Sequence, residues 1–345
     1  MDFSQKEEER LTLRDRDLLV CEGGDIGRTA MWRGALVQCY YQNHLHRLRR
    51  KADDIVPEFV MCWMEFAVSR RRLYEGAGNK TTIPNLSKSR LAEFRIPLPA
   101  PEEQRAIARV LRVVQRAKEA CEQILDATRQ LEQSLLRHLF TFGTVPVAQV
   151  SHVLLQDTEV GAAPAHWSAG TLGGFFTLQR GFDLPQQDRR PGSVPIVSSS
   201  GMSGFHDEAK VNGPGVVTGR YGTIGAVYYI EKDFWPLNTT LFVREFGDND
   251  PRFVAFFLKT LNLASFNDKT SVPGINRNHV HAMKVAVPPL LEQREIARQL
   301  AAVDASLAAG EARRAAVAAL YTSLLDHLMT GRVRVPFDGL REGAA

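Results

Sequence analysis

The chain has few cysteines and no pair among them. Cys21, Cys39, Cys62 and Cys121 are widely spaced with no C-x-x-C, which excludes a zinc knuckle or disulfide framework and suits a reducing cytoplasm. Long hydrophobic runs are missing too: no stretch approaches the roughly 18 apolar residues of a membrane span. Met1 to Arg10 is charged where a signal peptide is apolar, so a soluble cytoplasmic protein with no membrane partner is expected. Nor is there an excess of one charge. Lys and Arg number 43 against 39 Asp and Glu, a net +4 that permits a nucleic-acid partner without requiring one.

Motifs for chemistry are absent as well. GGDIGR and GRYGTIG are not a phosphate loop, and neither has the strand-to-helix setting with a matched acidic residue that a dinucleotide site needs. The nine histidines contain no H-E-x-x-H or H-x-x-x-H pair, and His279 and His281 have no third ligand nearby. Asp183 and Asp188 lack the Glu-x-Lys companion of a nuclease site. No catalytic residue, metal or cofactor is expected in this chain.

What the sequence does have is length and duplication. At 345 residues, 44% hydrophobic and 24% charged, it is long enough for two cores. Residues 77–111, AGNKTTIPNLSKSRLAEFRIPLPAPEEQRAIARVL, match residues 267–300, NDKTSVPGINRNHVHAMKVAVPPLLEQREIARQL. Lys80 and Lys269, Pro84 and Pro273, Pro99 and Pro288, Glu103 and Glu292, and Gln104 and Gln293 all stand 189 positions apart. The same offset carries Ser134, Leu135, Leu136, His138 and Thr141 onto Ser323, Leu324, Leu325, His327 and Thr330. Upstream, GDIG at 24–27 meets GTIG at 222–225, Asn43 meets Asn238, and PEFV at 57–60 meets PRFV at 251–254. Each repeat is a globular part followed by a helix.

The helical parts read as a coiled coil. Ile107, Val110, Val114, Ala117, Cys121, Ile124, Thr128, Leu131, Leu135 and His138 keep a three-four spacing, which predicts a seam along these positions. Gly143 and Pro146 end the helix. The second copy keeps Ile296, Val303, Val317, Leu320 and Leu324 but puts Gly310 and Arg313 on the seam, so its middle should pack less well. A helix of roughly 38 residues is about 57 Å long, near one and a half turns of duplex DNA, and its cheapest partner is its own repeat in an antiparallel pair. The globular parts read as mixed α/β: residues 216–230 look like a tight hairpin with Arg220 and Tyr221 at its tip, and residues 250–263 like a helix capped by Asp250. Trp167 and Trp235 are expected in cores.

The order GRYGTIG, WPLNTTLFV, PRFV, LNLASFNDKTSVPGINRNHV, VAVPPLLEQREIARQL and SLLDHLMTG resembles one target-recognition domain plus helix of the specificity subunits of Type I restriction-modification enzymes. The first repeat gives EGGDIGRTA, NHLHRLR, NKTTIPNLSKSRL, IPLPAPEEQRAIARVL and SLLRHLFTFG. The resemblance implies an α+β chain with two recognition domains, separated by two long antiparallel helices and related by an approximate two-fold. The domain boundaries expected are 1–101 and 146–290 for recognition, 102–142 and 291–330 for the helices, and 331–345 for a tail. It implies double-stranded DNA as partner, read as an interrupted bipartite target. It also implies docked methyltransferase and restriction-translocase subunits, with S-adenosylmethionine, ATP and magnesium handled by those subunits. One departure stands out: about 60 residues precede the hairpin in the second repeat and only about 20 precede EGGDIG in the first. The first half of the leading recognition domain is absent there, through an upstream start, a truncation or completion by another chain.

Base edges need donors and acceptors on backbone that approaches closely, so polar and basic residues on Gly-rich loops are the candidates. In the second repeat these are Arg180, Ser198, Ser199, Ser200, Arg220, Tyr221, Lys269, Thr270, Asn276 and Arg277; in the first they are Arg28, Lys80, Thr81, Asn85 and Lys88. Ser and Gly also serve ordinary turns. The basic runs His46–Lys51 and Arg70–Arg72 suit phosphates or a solvated face equally. A coiled-coil scaffold that binds only protein partners is the alternative reading.

Overall fold

The computed structural model describes residues 4–73, 85–263 and 274–336, and these form two compact units. Unit 1 comprises Met1–Ile124 and Gly310–Ala345, and unit 2 comprises Leu125–Ala309, so the division falls within the long helices.

Unit 1 opens with helix α1 (Gln5–Leu11), whose start is closed by a reciprocal Ser4–Glu7 capping box. Strands β1 (Leu18–Cys21), β2 (Thr29–Met31) and β3 (Leu45–Leu48) form an antiparallel sheet in the order β2-β1-β3. Helix α2 (Pro57–Glu65) starts with proline, where a missing N–H costs nothing. It continues as a π-helical turn, Phe66–Arg70, before the short helix α3 (Lys88–Ala92) and the long helix α4 (Pro101–Phe142). Phe59, Val60, Trp63 and Met64 of α2 meet Leu18 and Val20 of β1 and Leu86. Ile107 and Leu111 from the start of α4 close the same core together with Leu325, Leu328 and Met329.

Unit 2 is larger. Strands β4 (Leu155–Thr158) and β5 (Gly161–Pro164) form a hairpin, followed by β6 (Ser168–Thr171), α5 (Leu172–Phe175) and β7 (Thr177–Arg180). Next come β8 (Val194–Ser198), β9 (Gly201–His206), β10 (Gly215–Gly219), β11 (Val227–Ile230), β12 (Trp235–Pro236) and β13 (Thr240–Glu245). Helices α6 (Pro251–Thr260) and α7 (Arg277–Ala282), strand β14 (Lys284–Val287) and helix α8 (Leu290–Met329) complete the chain. One sheet runs β11-β10-β13-β7, a second β12-β8-β9, and β14 pairs with β6. Asp250 caps α6 by accepting from Arg252 N–H at 2.9 Å and Phe253 N–H at 3.0 Å. Phe253 and Phe257 stack in the core with Phe140 of α4 against both, and Ile296 and Leu300 from the start of α8 pack beside Leu139. Burying each such ring contributes roughly 1.5–3 kcal/mol. Trp167 and Trp235 are buried, as expected.

In both units the beginning of one long helix packs beside the end of the other, so the helices run antiparallel. The buried stripe of α4 is not the expected one. Leu111, Leu125 and Leu139 are almost fully buried with Ile107 and Cys121, while Ile124 and Leu131 are 60% and 56% exposed. The stripe keeps the three-four spacing but turns one residue further at every second position. Apolar residues occupy both alternatives, and the adjoining globular cores decide between them. In α8, Leu328, the counterpart of Leu139, is buried and Leu320, the counterpart of Leu131, is 49% exposed, the same displacement. No residue of α8 between Leu300 and Leu325 is fully buried, as Gly310 and Arg313 predict.

The repeat is visible in the sheets. β1, β2 and β3 correspond to β10, β11 and β13, α2 to α6, and α3 to α7. Residues 95–98 align with β14 yet form no strand. In unit 2 the partner of β14 is β6, and among the described residues of unit 1 no strand precedes β1. Among the described residues no helix is long and apolar enough to cross a membrane.

Candidate nucleic-acid interface

One end of the four-stranded sheet in unit 2 gathers most of the candidate residues. The β10–β11 connection spans residues 220–226, longer than a tight hairpin, and Arg220 and Tyr221 lie where it leaves β10 rather than at its tip. The N–H groups of Arg220 and Tyr221 donate to the Thr239 carbonyl at 2.9 and 3.1 Å, and the Arg220 carbonyl accepts from Ile275 N–H at 3.1 Å. The Arg220 guanidinium stacks over the Tyr221 ring, 4.4 Å from its centroid. That ring in turn lies on Gly274, where a methyl group would come within 2.1 Å of Tyr221 Cε1. Ile275 leads into α7, whose first turn is capped by the Asn276 side chain accepting from Asn278 N–H at 3.0 Å, with Arg277 beside it.

Ser199 joins this cluster through its N–H, a long bond of 3.4 Å to Thr239 Oγ1, and through its carbonyl, which accepts from Tyr228 Oη. Ser198 and Ser200 bond to each other, and Ser198 Oγ donates to the Gly201 carbonyl, which is the turn chemistry that competes with a binding role. Arg180 ends β7 with its side chain half exposed, 3.6 Å from Asp183, which also accepts from Asn238. Asn238, Thr239 and Asp183, which their residue types alone do not single out, join the same cluster of candidates. The signal was present for Asn238, which aligns with Asn43.

Unit 1 builds the same frame. Gly27 N–H donates to the Cys21 carbonyl at 2.8 Å, as Gly225 N–H does to Gly219 at 3.2 Å. Cys21 N–H donates to Arg28, as Gly219 does to Ala226. Glu22 N–H donates to the His44 carbonyl at 2.9 Å and Leu86 N–H to the Glu22 carbonyl at 2.7 Å, matching the Arg220–Thr239 and Ile275–Arg220 bonds. Both loops turn on glycines in the left-handed region: Gly24 and Gly27 at φ 68° and 73°, Gly222 and Gly225 at 75° and 78°. The loop of unit 1 borders a cleft of about 680 Å³ that Arg28, Arg33, Arg112 and Lys118 help to line.

Arg28 is exposed and pairs with Asp25 at 2.9 Å. Asn85 is exposed, and Lys88 is the exposed first residue of α3, whose start Ser87 caps. Lys80, Thr81, Lys269 and Thr270 lie outside the described residues. The basic run His46–Lys51 is largely engaged inside unit 1. Arg47 donates to the carbonyls of Arg10 and Thr12, and Arg49 grips the buried Asp17 at 2.6 and 2.7 Å. Burial works against the charged form of Asp17, but the bonds from Arg49 and from Arg14 N–H outweigh it and hold that carboxyl below its usual range. Among the described residues no cluster of three or more His, Cys, Asp or Glu is arranged to hold a metal.

The helix starts carry the most specific sequence element, and its role is to seat the recognition parts. Gln293 and Gln104 are buried. Each amide oxygen accepts the backbone N–H of a helix cap, Asp250 of α6 and Val56 of α2 respectively, both at 2.9 Å. Each amide nitrogen donates back to a proline carbonyl, Pro288 or Pro99. The neighbouring carboxylates hold the chain that follows the opposite helix. Glu103 takes the Arg334 guanidinium, and Glu292 takes Thr144 N–H and His166 Nε2.

Comparison with known proteins agrees with this frame. A sequence profile described as "Type I restriction modification DNA specificity domain" matches residues 2–128 and 164–318. The protein assigned as the specificity subunit of type I restriction enzyme MjaX in Methanocaldococcus jannaschii is 20% identical over 330 residues, 90% of this chain and 76% of that one. The crystal structure of a Type I restriction-modification S subunit from M. genitalium superposes with a TM-score of 0.65 at 20% identity, covering 93% of this chain and 84% of the other. A chain from a study of complex assembly and conformational transition of the type I R-M system gives 0.55 at 15% identity, covering 93% and 83%. The chain belongs to the Type I restriction-modification DNA specificity family and carries the family's domain twice.

Proposed function

We propose that this chain reads an interrupted, bipartite sequence in double-stranded DNA and catalyses nothing itself. The observation that carries the reading is the recurrence, in both units, of one glycine-hinged loop frame that presents polar side chains at the end of a sheet. The loops 219–225 and 274–277 supply donors for base edges and phosphates in unit 2, and 21–28 with 85–88 do so in unit 1. Methyltransferase subunits and restriction-translocase subunits dock on the chain and bring S-adenosylmethionine, ATP and magnesium with them, and the assembly works in the cytoplasm. The boundaries 1–101, 102–142, 146–290, 291–330 and 331–345 divide recognition parts, helices and tail. Lys80, Thr81, Lys269 and Thr270 belong to the phosphate- and base-contacting set.

The test is retention of duplex DNA by the full chain over a salt series. Genomic fragments selected by the chain should stay bound at salt concentrations that release shuffled duplexes, because the non-specific part is mostly counterion release. A scaffold that joins only proteins would release both alike.

A further inference from the structure

The two loop frames share four backbone hydrogen bonds at matching positions, but their side chains differ in kind. The backbone position that carries Arg220 in unit 2 carries Glu22 in unit 1: each N–H is tied to the strand-entry loop (Thr239 or His44) and each carbonyl to the residue before the cap of α7 or α3 (Ile275 or Leu86). The next position is Tyr221 in unit 2 and Gly23 in unit 1, so the aromatic plate under the guanidinium has no counterpart. Both Arg220 and Glu22 are partly exposed at the mouth of the loop.

We propose that Arg220 and Glu22 are equivalent specificity determinants that read opposite base chemistries, a guanine edge in the half-site of unit 2 and a cytosine amino group in that of unit 1. The inference rests on the DNA-reading function above. A guanidinium has donors only and matches the two major-groove acceptors of guanine, O6 and N7, bidentately. A carboxylate has acceptors only and matches the N4 amino group of cytosine; placed against a phosphate or against guanine it is repelled. The stack on Tyr221, itself seated on Gly274, restrains the Arg220 fork before DNA arrives, which favours base reading over loose phosphate contact. An acidic residue in the same frame cannot be a phosphate anchor, so the position as such is a reading position. One duplicated scaffold thereby gains an asymmetric target through a single exchange of charge.

The experiment selects duplexes from a pool randomised over the target, using the full-length wild-type chain and its R220A, R220Q and E22Q variants, and sequences what is retained. Thermal melting beforehand confirms that each variant is folded. The wild type should enrich a motif in which R220A loses preference for one guanine by roughly fivefold or more, with the remaining positions unchanged. R220Q should move that position toward adenine, whose N6 and N7 suit a glutamine amide. E22Q should relax one cytosine in the other half of the motif. Uniform weakening by R220A without a change of motif would mark it as a phosphate contact, and changes by R220A and E22Q at the same base pair would also sink the proposal. Failure of the wild type to enrich any motif removes the DNA-reading function and this inference with it.

Discussion

The amide of Gln293 is bonded on both sides: its oxygen accepts Asp250 N–H at 2.9 Å while its nitrogen donates to Asn249 Oδ1 and the Pro288 carbonyl, both at 2.9 Å. The start of α8 and the start of α6 are thereby locked together at one buried point. Gln104 does the same for Val56, Asp54 and Pro99 in unit 1. The Gln293→Ala and Gln104→Ala variants each leave buried donors and acceptors unmet. Each should lose about 2 kcal/mol of stability, read as a lower midpoint in thermal or urea unfolding of the full chain. A midpoint equal to that of the wild type in either variant contradicts the assigned role.

The burial of α4 separates two neighbouring leucine and isoleucine positions. Leu125→Ala removes a side chain that is 2% exposed and should cost about 2–5 kcal/mol. Ile124→Ala removes one that is 60% exposed and should cost less than about 1 kcal/mol. Ile124→Pro, by contrast, breaks the backbone ladder and should cost roughly 3 kcal/mol or more. Denaturant midpoints that rank the two alanine variants the other way would place the seam at the positions read from sequence.

That misplaced phase shows what the sequence could and could not convey. The repeat, the helix ends at Gly143 and the weak middle of α8 follow from spacing and residue type, which act locally. The rotation of α4 depends on which of two apolar stripes the globular cores cover, and no periodicity distinguishes Ile124 from Leu125. The site behaves similarly. Arg220, Tyr221, Asn276 and Arg277 were legible as polar residues on glycine loops. Thr239 and Asn238, which stand on a separate strand entry, join them only through sheet pairing. The absence of a strand at 95–98 has the same origin, since a strand needs the partner that β6 provides in unit 2.

Glu103 is buried and its carboxyl is held below its ordinary value of 4.5, chiefly by the hydrogen bonds from Arg334 against the opposing effect of burial. A depressed carboxyl stabilises the fold fully above its unfolded value, and that contribution disappears as pH falls through the folded one. Acid unfolding of the wild type should therefore steepen below about pH 4.5, and Arg334→Ala should shallow that limb. Identical pH profiles for the two proteins would show that the pair adds nothing.

His281 Nε2 accepts Leu178 N–H at 2.8 Å, which requires the neutral ring. Burial first and the charge of Arg277 second keep its pKa below the ordinary 6.5. The unfolded chain then binds the proton more readily, so stability is complete above about 6.5 and declines as pH drops from there toward the folded value. His281→Asn should flatten this dependence in unfolding curves between neutral and mildly acid pH. A variant with the slope of the wild type would assign the dependence to another group.

On the function proposed, two copies of one loop frame read two separate stretches of duplex. Sequencing the duplexes retained by the full chain from a pool randomised over the whole target measures it most directly. Two short defined blocks separated by a fixed number of unspecified base pairs are the predicted result. A single contiguous block, or retention without any shared sequence, contradicts it.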